Sequence, residues 1–215
     1  MGRDMPVTYY WVFQELYRMD SAAMDLEAEK EMRRRWGQMV RESGHTGTLW
    51  ETFGDPESCH NYGAVPAYFL SSYVLGVRLD GPVWNKRLIL EPRLGDLTTA
   101  EGVVVTEFGP VPVSWKRQGT DLAFHFEIPK GSKAILRIPD TDGTALTLDG
   151  RLIRATAQGR YATVIVAAGP HEGRIGIKPI PAPRRARVSL SNAPRLKYWP
   201  TLTKWADYLV AEGLV

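Results

Sequence analysis

The feature that most constrains this chain is a change of hydrophobic period partway along it. From Tyr9 to Val74 apolar residues return every three or four positions, and from Lys86 onward they return every second position. The first rhythm makes one face of a helix and the second makes one face of a strand. The pattern predicts an α+β chain, with helices first and an antiparallel β-sandwich after them.

The spacing of Tyr9, Val12, Phe13, Leu16 and Tyr17 predicts a helix over 8–19. Asp20-Ser21 suits a break with a new N-cap, and a second helix is expected over 22–42, closed by Ser43-Gly44. Its apolar positions are Met24, Ala28, Met32, Trp36, Met39 and Val40, and Glu27, Glu29 and Glu31 read as a solvated face. So short a link implies an antiparallel hairpin. Tyr9, Tyr10, Trp11, Phe13, Tyr17 and Trp36 give that hairpin more large apolar surface than one sandwich edge would cover. Aromatics left uncovered invite a partner, so something helical is expected to be absent from the chain. Residues 46–57 read as an ordered loop. A third helix is expected over 60–74, with Pro66 either inside it or marking its first turn, and Gly76 ending it.

The strand pattern gives about eight short strands separated by turns such as Gln118-Gly119, Lys130-Gly131 and Asp149-Gly150. Leu122, Phe124, Phe126 and Ile128 alternate inward, as do Val111, Val113 and Trp115. The organisation expected is a helical segment over 1–78, a sandwich over 79–178, and a proline-rich basic tail over 179–215 with a short amphipathic helix near 201–212.

Of the net charge of +3, the tail holds +4, which leaves −1 for all that precedes it. A nucleic-acid role needs a basic face with aromatic or motif support, and neither is present, so no nucleic-acid partner is expected. No apolar run of membrane-spanning length occurs, so no membrane partner is expected. The single cysteine, Cys59, excludes an internal disulfide and reads as a small buried residue. With no secretory signal at the start of the chain, the expectation is a location that is cytoplasmic or unknown. The histidines lack ligand spacing and Asp140 with Asp142 supply too few oxygens for calcium, so no metal and no cofactor is expected.

One stretch carries chemistry. Thr48-Leu49-Trp50-Glu51-Thr52-Phe53 sets a carboxylate among aromatics, and Cys59-His60-Asn61-Tyr62-Gly63 follows it. Aromatic faces stack on sugars, and a carboxylate orients or deprotonates water. Each residue also has a plainer role. Glu51 can pair with an arginine, His60 can start a helix, and Trp50 can be core.

The chain from about 6 to 177 resembles the C-terminal part of the bacterial α-L-rhamnosidase family of glycoside hydrolases. The resemblance rests on Arg34-Arg35-Trp36-Gly37-Gln38-Met39, Thr48 to Phe53, Ser58-Cys59-His60 and Pro66-Ala67-Tyr68. It continues through Tyr73 to Val77, Pro92-Arg93-Leu94-Gly95-Asp96-Leu97, Ala100-Glu101-Gly102 and Thr106 to Trp115. It implies the end of a six-hairpin helical toroid followed by a C-terminal sandwich, and hydrolysis with inversion of a terminal α-L-rhamnose. By the resemblance Glu51 is the candidate general base, His60 contacts the sugar, and Trp50 lines the pocket. The family's general acid lies in earlier hairpins that nothing before Thr48 supplies, so the chain alone is expected to be inactive, a truncated product or half of a split enzyme. The missing helical part of the same enzyme is then a possible partner. A non-catalytic carbohydrate-binding or interaction module is the alternative.

Overall fold

The computed structural model describes residues 5–42, 48–55 and 59–179. The Ser43-Gly44 cap and the tail beyond Pro179, with its helix near 201–212, lie outside these residues. The described residues form two compact units, divided between Pro66 and Ala67.

The first unit is helical. Helix α1 runs Thr8–Arg18 and α2 runs Ala22–Glu42. Asp20 between them takes a positive φ of 50°, and Ser21 Oγ accepts from the Met24 N–H at 3.3 Å, so the break and the new cap fall where the residue types favour them. Tyr9 and Phe13, early in α1, both pack on Trp36, late in α2, which makes the pair antiparallel. The α1 stripe is buried as its spacing requires.

Three expectations for the hairpin fail. Val40 is 76% exposed rather than part of the apolar face. Glu27, Glu29 and Glu31 are buried rather than solvated. Arginines of the next turn lie over two of them, Arg33 bonding Glu29 at 3.2 Å and Arg34 bonding Glu31 at 2.8 Å, so the acid lies beneath its own partner. Finally, Tyr9, Phe13, Tyr17 and Trp36 are all buried. Of the six aromatics of the hairpin, Tyr10 is partly buried and only Trp11 stands substantially exposed.

The third helical segment is one continuous run of three kinds of turn. A 3₁₀ turn spans Asn61–Ala64, α3 spans Val65–Phe69, and a π-turn spans Leu70–Val74. Pro66 is the second residue of α3, in the first turn, where its missing N–H costs nothing. Gly76 ends the run at φ 80°. A Cβ there would come within 2.3 Å of the Glu91 carbonyl carbon, so the chain needs glycine.

The second unit holds eleven strands in two sheets, more than the eight expected, because several are only three or four residues long. One sheet has the order β1-β2-β6-β10-β9, formed by Val77–Leu79, Arg87–Leu90, Lys133–Pro139, Tyr161–Val166 and Thr156–Gln158 respectively. The other has the order β3-β4-β5-β11-β7-β8, formed by Thr99–Thr106, Gly109–Gln118, Asp121–Ile128, Gly169–Ile177, Thr141–Leu148 and Arg151–Arg154. Both sheets contribute to a single core, in which Trp115, Phe126, Leu88, Leu90 and Leu136 are almost wholly buried. The fold class is therefore α+β, helices followed by two largely antiparallel sheets. One pair departs from the expected antiparallel pattern, since β2 and β6 run parallel. A parallel pair needs a long crossover, and β3, β4 and β5 in the opposite sheet supply it.

The five-stranded sheet is tied together by one carboxylate. Glu91, buried at the end of β2, meets Arg78 at 2.9 Å, Arg93 at 3.1 Å and Arg137 at 2.7 Å. Arg93 also donates to the Tyr161 hydroxyl at 2.9 Å, and Arg137 lies over the Tyr161 ring at 4.2 Å. One acid thereby joins β1, β2, β6 and β10. Tyr73 stacks beneath Arg78, and burial raises its hydroxyl pKa although Arg78 pulls the other way.

At the β7–β8 turn, Asp149 (φ 51°) meets His171 Nδ1 at 2.8 Å and accepts from the Glu172 N–H at 3.1 Å. Burial pushes its pKa up, but the His171 hydrogen bond, the Glu172 N–H and the His171 and Arg151 charges outweigh it, leaving the carboxyl below its ordinary value.

Two outcomes follow for stability. Removing Glu91 leaves three guanidiniums without their shared acid, so Glu91→Ala should cost about 3–5 kcal/mol in urea unfolding. A loss below about 1 kcal/mol would put the cluster in the class of surface pairs. For Asp149 the folded pKa is the lower one, so its contribution is present above the unfolded value of about 4 and fades as pH falls through the folded value. Asp149→Asn should therefore melt below the parent at neutral pH, and the two melting temperatures should converge as the pH is taken below about 4.

Candidate functional site

The candidate residues lie in the helical unit, on the loop after α2 and the 3₁₀ turn that follows. Three anchors hold the loop. Leu49 accepts from the His60 N–H at 3.0 Å, joining the loop to the segment behind it. Trp50 is fully buried, and its backbone N–H points at Met39 Sδ, 3.3 Å away. Phe53 stands edge-on to Trp36 (5.1 Å between centroids) and to Tyr9 (5.5 Å), with the Arg35 guanidinium 5.3 Å from both the Tyr9 and Phe53 rings. Edge-to-face rings and a cation over them add about 0.5–1.5 kcal/mol each to simple burial.

Glu51 lies between two of these anchors, half-buried, at the start of a turn that ends at Gly54 (φ 81°). Asp55 closes the turn by donating its N–H to Thr52 at 3.1 Å. The neighbours of Glu51 thus fix its backbone, while its side chain stays partly open to solvent.

His60 caps the 3₁₀ turn. Its Nδ1 accepts from the Tyr62 N–H at 3.2 Å, and its ring lies against the Tyr62 ring, 3.8 Å between centroids. With Nδ1 accepting, a neutral ring carries its proton on Nε2, free to act as a donor. Gly63 completes the assembly. Its carbonyl accepts from Trp36 Nε1 at 2.6 Å, and a Cβ on it would fall 2.4 Å from Leu49 Cβ. The close approach of Leu49 to Gly63 brings the Glu51 loop and His60 together.

Of the residues singled out in the sequence, Trp50 and Glu51 are consecutive on the loop, and the bond from the His60 N–H to Leu49 brings the His60 backbone beside it. Trp50 is buried inside the unit as packing, and its Nε1 has no hydrogen-bond partner among the described residues. Cys59, expected to be buried, is exposed, because it precedes the capping turn and not a packed helix. Sequence reasoning passed over Phe53, Gly63 and Arg35 as site-building residues. The aromatic in Glu51-Thr52-Phe53 was the available signal for the first, and nothing local signals the Gly63–Leu49 contact. No group of three or more metal-ligating side chains occurs among the described residues. No described helix is long and apolar enough to cross a membrane.

An α+β chain whose helical segment ends in an aromatic-anchored carboxylate loop, followed by a two-sheet domain, is the class this architecture defines. Residues 76–152, most of the two-sheet unit, match the family described as the bacterial alpha-L-rhamnosidase C-terminal domain. Among solved structures, the chain is similar to an α-L-rhamnosidase from Dictyoglumus thermophilum, with TM-score 0.56, 23% identity, and coverage of 66% of this chain and 17% of that one. It is also similar to the Streptomyces avermitilis α-L-rhamnosidase complexed with L-rhamnose, with TM-score 0.51, 21% identity, and coverage of 65% and 14% respectively. No curated protein matches. The family match is confined to residues 76–152, and the two solved structures, at 23% and 21% identity, show a likeness of fold. The chain spans less than a fifth of either neighbour's length.

The packing of the loop is open to test. Gly63→Ala should push Leu49 away and break the His60–Leu49 hydrogen bond, at a cost of about 1–3 kcal/mol. Hydrogen exchange should show it as faster exchange at the His60 amide, with the amides of β4 and β5 unchanged.

Proposed function

We propose that this chain is the C-terminal portion of an inverting α-L-rhamnosidase-like glycoside hydrolase, with Glu51 as general base. In this reading Glu51 takes the proton of the attacking water and His60 donates from Nε2 to a sugar hydroxyl. Trp50 is the wall that holds the loop from behind. An inverting pair needs its two carboxyl groups about 6.5–9.5 Å apart, with water between base and sugar. The observation that carries the reading is the double anchoring of Glu51, by buried Trp50 on one side and Phe53 on the other, beside a half-exposed His60 bonded to the same loop. A base must be held in place yet reachable by water, and this carboxyl is both.

The general acid in this reading comes from outside the chain. The acids of α2 support that, because Glu29 and Glu31 bond to arginines of their own helix. The chain by itself is then inactive.

The test has two parts. The 215-residue chain is expected to leave an aryl α-L-rhamnoside unhydrolysed, and enzyme-like turnover would overturn the proposal. Joined to the helical region of a related rhamnosidase, the chain should support hydrolysis, and Glu51→Gln in that assembly should lower kcat about 10²–10⁴-fold. Full activity of the Glu51→Gln assembly would remove Glu51 from the mechanism.

A further inference from the structure

The outer face of the five-stranded sheet carries a groove of about 710 Å³ that the reading of Glu51 does not use. Its floor follows from the strand register. Leu88, Leu90, Ala134, Leu136 and Ile138 face the core, so the residues alternating with them on β2 and β6 face the other way. Two cross-strand rows result. Ile89, Ile135 and Ile165 form an apolar row across β2, β6 and β10. Arg137, Thr163 and Thr156 form a polar row across β6, β10 and β9. Arg154, just before the chain crosses from β8 to β9, and Gln158 on β9 border the polar row.

The charge of the groove is positive and partly uncommitted. Its one carboxylate, Asp80, is already paired with Arg87. Arg154 is exposed and has no ion pair among the described residues. Arg137 shares the Glu91 carboxylate with Arg78 and Arg93, so three cations face one anion. Its guanidinium is held between that carboxylate and the Tyr161 ring, which fixes it before any ligand arrives. Groups held in place beforehand lose little entropy on binding. On the paired residues Arg137 and Thr163, the Nε and Oγ1 atoms are buried with no hydrogen-bond partner among the described residues. Both atoms lie beneath the surface of the groove, so the accessible polar groups that line it are those of Arg154, Thr156 and Gln158.

We propose that this groove binds a sugar acid, a ligand with one carboxylate among several hydroxyls. The guanidiniums of Arg154 and Arg137 suit the carboxylate, to which an arginine fork bonds in two places. The exposed Thr156 hydroxyl and Gln158 amide both donate and accept, as sugar hydroxyls require. The isoleucine row takes the C–H face of the ring. The volume lies within the range of small-ligand sites. The proposal is independent of the reading of Glu51, since it concerns the other unit.

The test is a set of NMR titrations of the full chain with D-galacturonate, with D-galactose, inorganic phosphate and a polyglutamate peptide as comparisons. Galacturonate should shift the amides of Thr156, Gln158, Thr163 and Ile165, and galactose should leave them in place. Arg154→Gln, a change at an exposed side chain, should weaken galacturonate about tenfold, as loss of one charged hydrogen bond does. Thr156→Val, at the exposed sheet edge, should weaken it as well without touching an arginine. Absence of groove shifts with galacturonate would overturn the proposal. So would equal binding by galactose or phosphate, tighter binding by the peptide, or undiminished affinity in Arg154→Gln.

Discussion

The buried Glu91 carboxylate is the constraint on which the five-stranded sheet depends. A buried acid is costly unless charged partners surround it, and here Arg78, Arg93 and Arg137 do so from different parts of the chain. The cluster joins β1, β2 and β6 and, through Arg93 and Tyr161, β10. The stack of Tyr73, Arg78 and Glu91 also secures the chain as it leaves the π-turn for β1. Stability and surface charge are linked through it, because the arginine that closes the cluster, Arg137, is also part of the groove on the outer face.

The helical unit solves a different problem with different chemistry. Its loop has no regular hydrogen-bonding ladder, so side chains fix it. Trp50 and Phe53 enter the packed interior on either side of Glu51, and Leu49 is tied to His60. Glu51 thus lies between a buried tryptophan and a half-buried phenylalanine, and is itself half-buried.

Much of the fold was legible because burial follows period. The stripe of α1 and the alternation of Leu122, Phe124, Phe126 and Ile128 fall where their spacing puts them, since each pattern offers only one face to bury. The Asp20-Ser21 break was legible for a local reason, as the serine supplies its own cap. The acids of α2 were not. Charge on a helix usually marks a wet face, and here the arginines one turn on lie over the carboxylates. The parallel β2–β6 pair was hidden too, because a sequence shows strands but not which of them neighbour each other.

The candidate site divides in the same way. The sequence by itself determined the residue types, a carboxylate among aromatics with a histidine behind, and the order of helices before strands. Both are local properties, written in spacing and side-chain chemistry. Only the tertiary structure decided that Leu49 rests on Gly63, that Trp50 is wholly inside, and that Glu91 gathers three arginines. Such contacts join positions far apart in the chain, and their energies depend on distance and burial, which no local pattern contains.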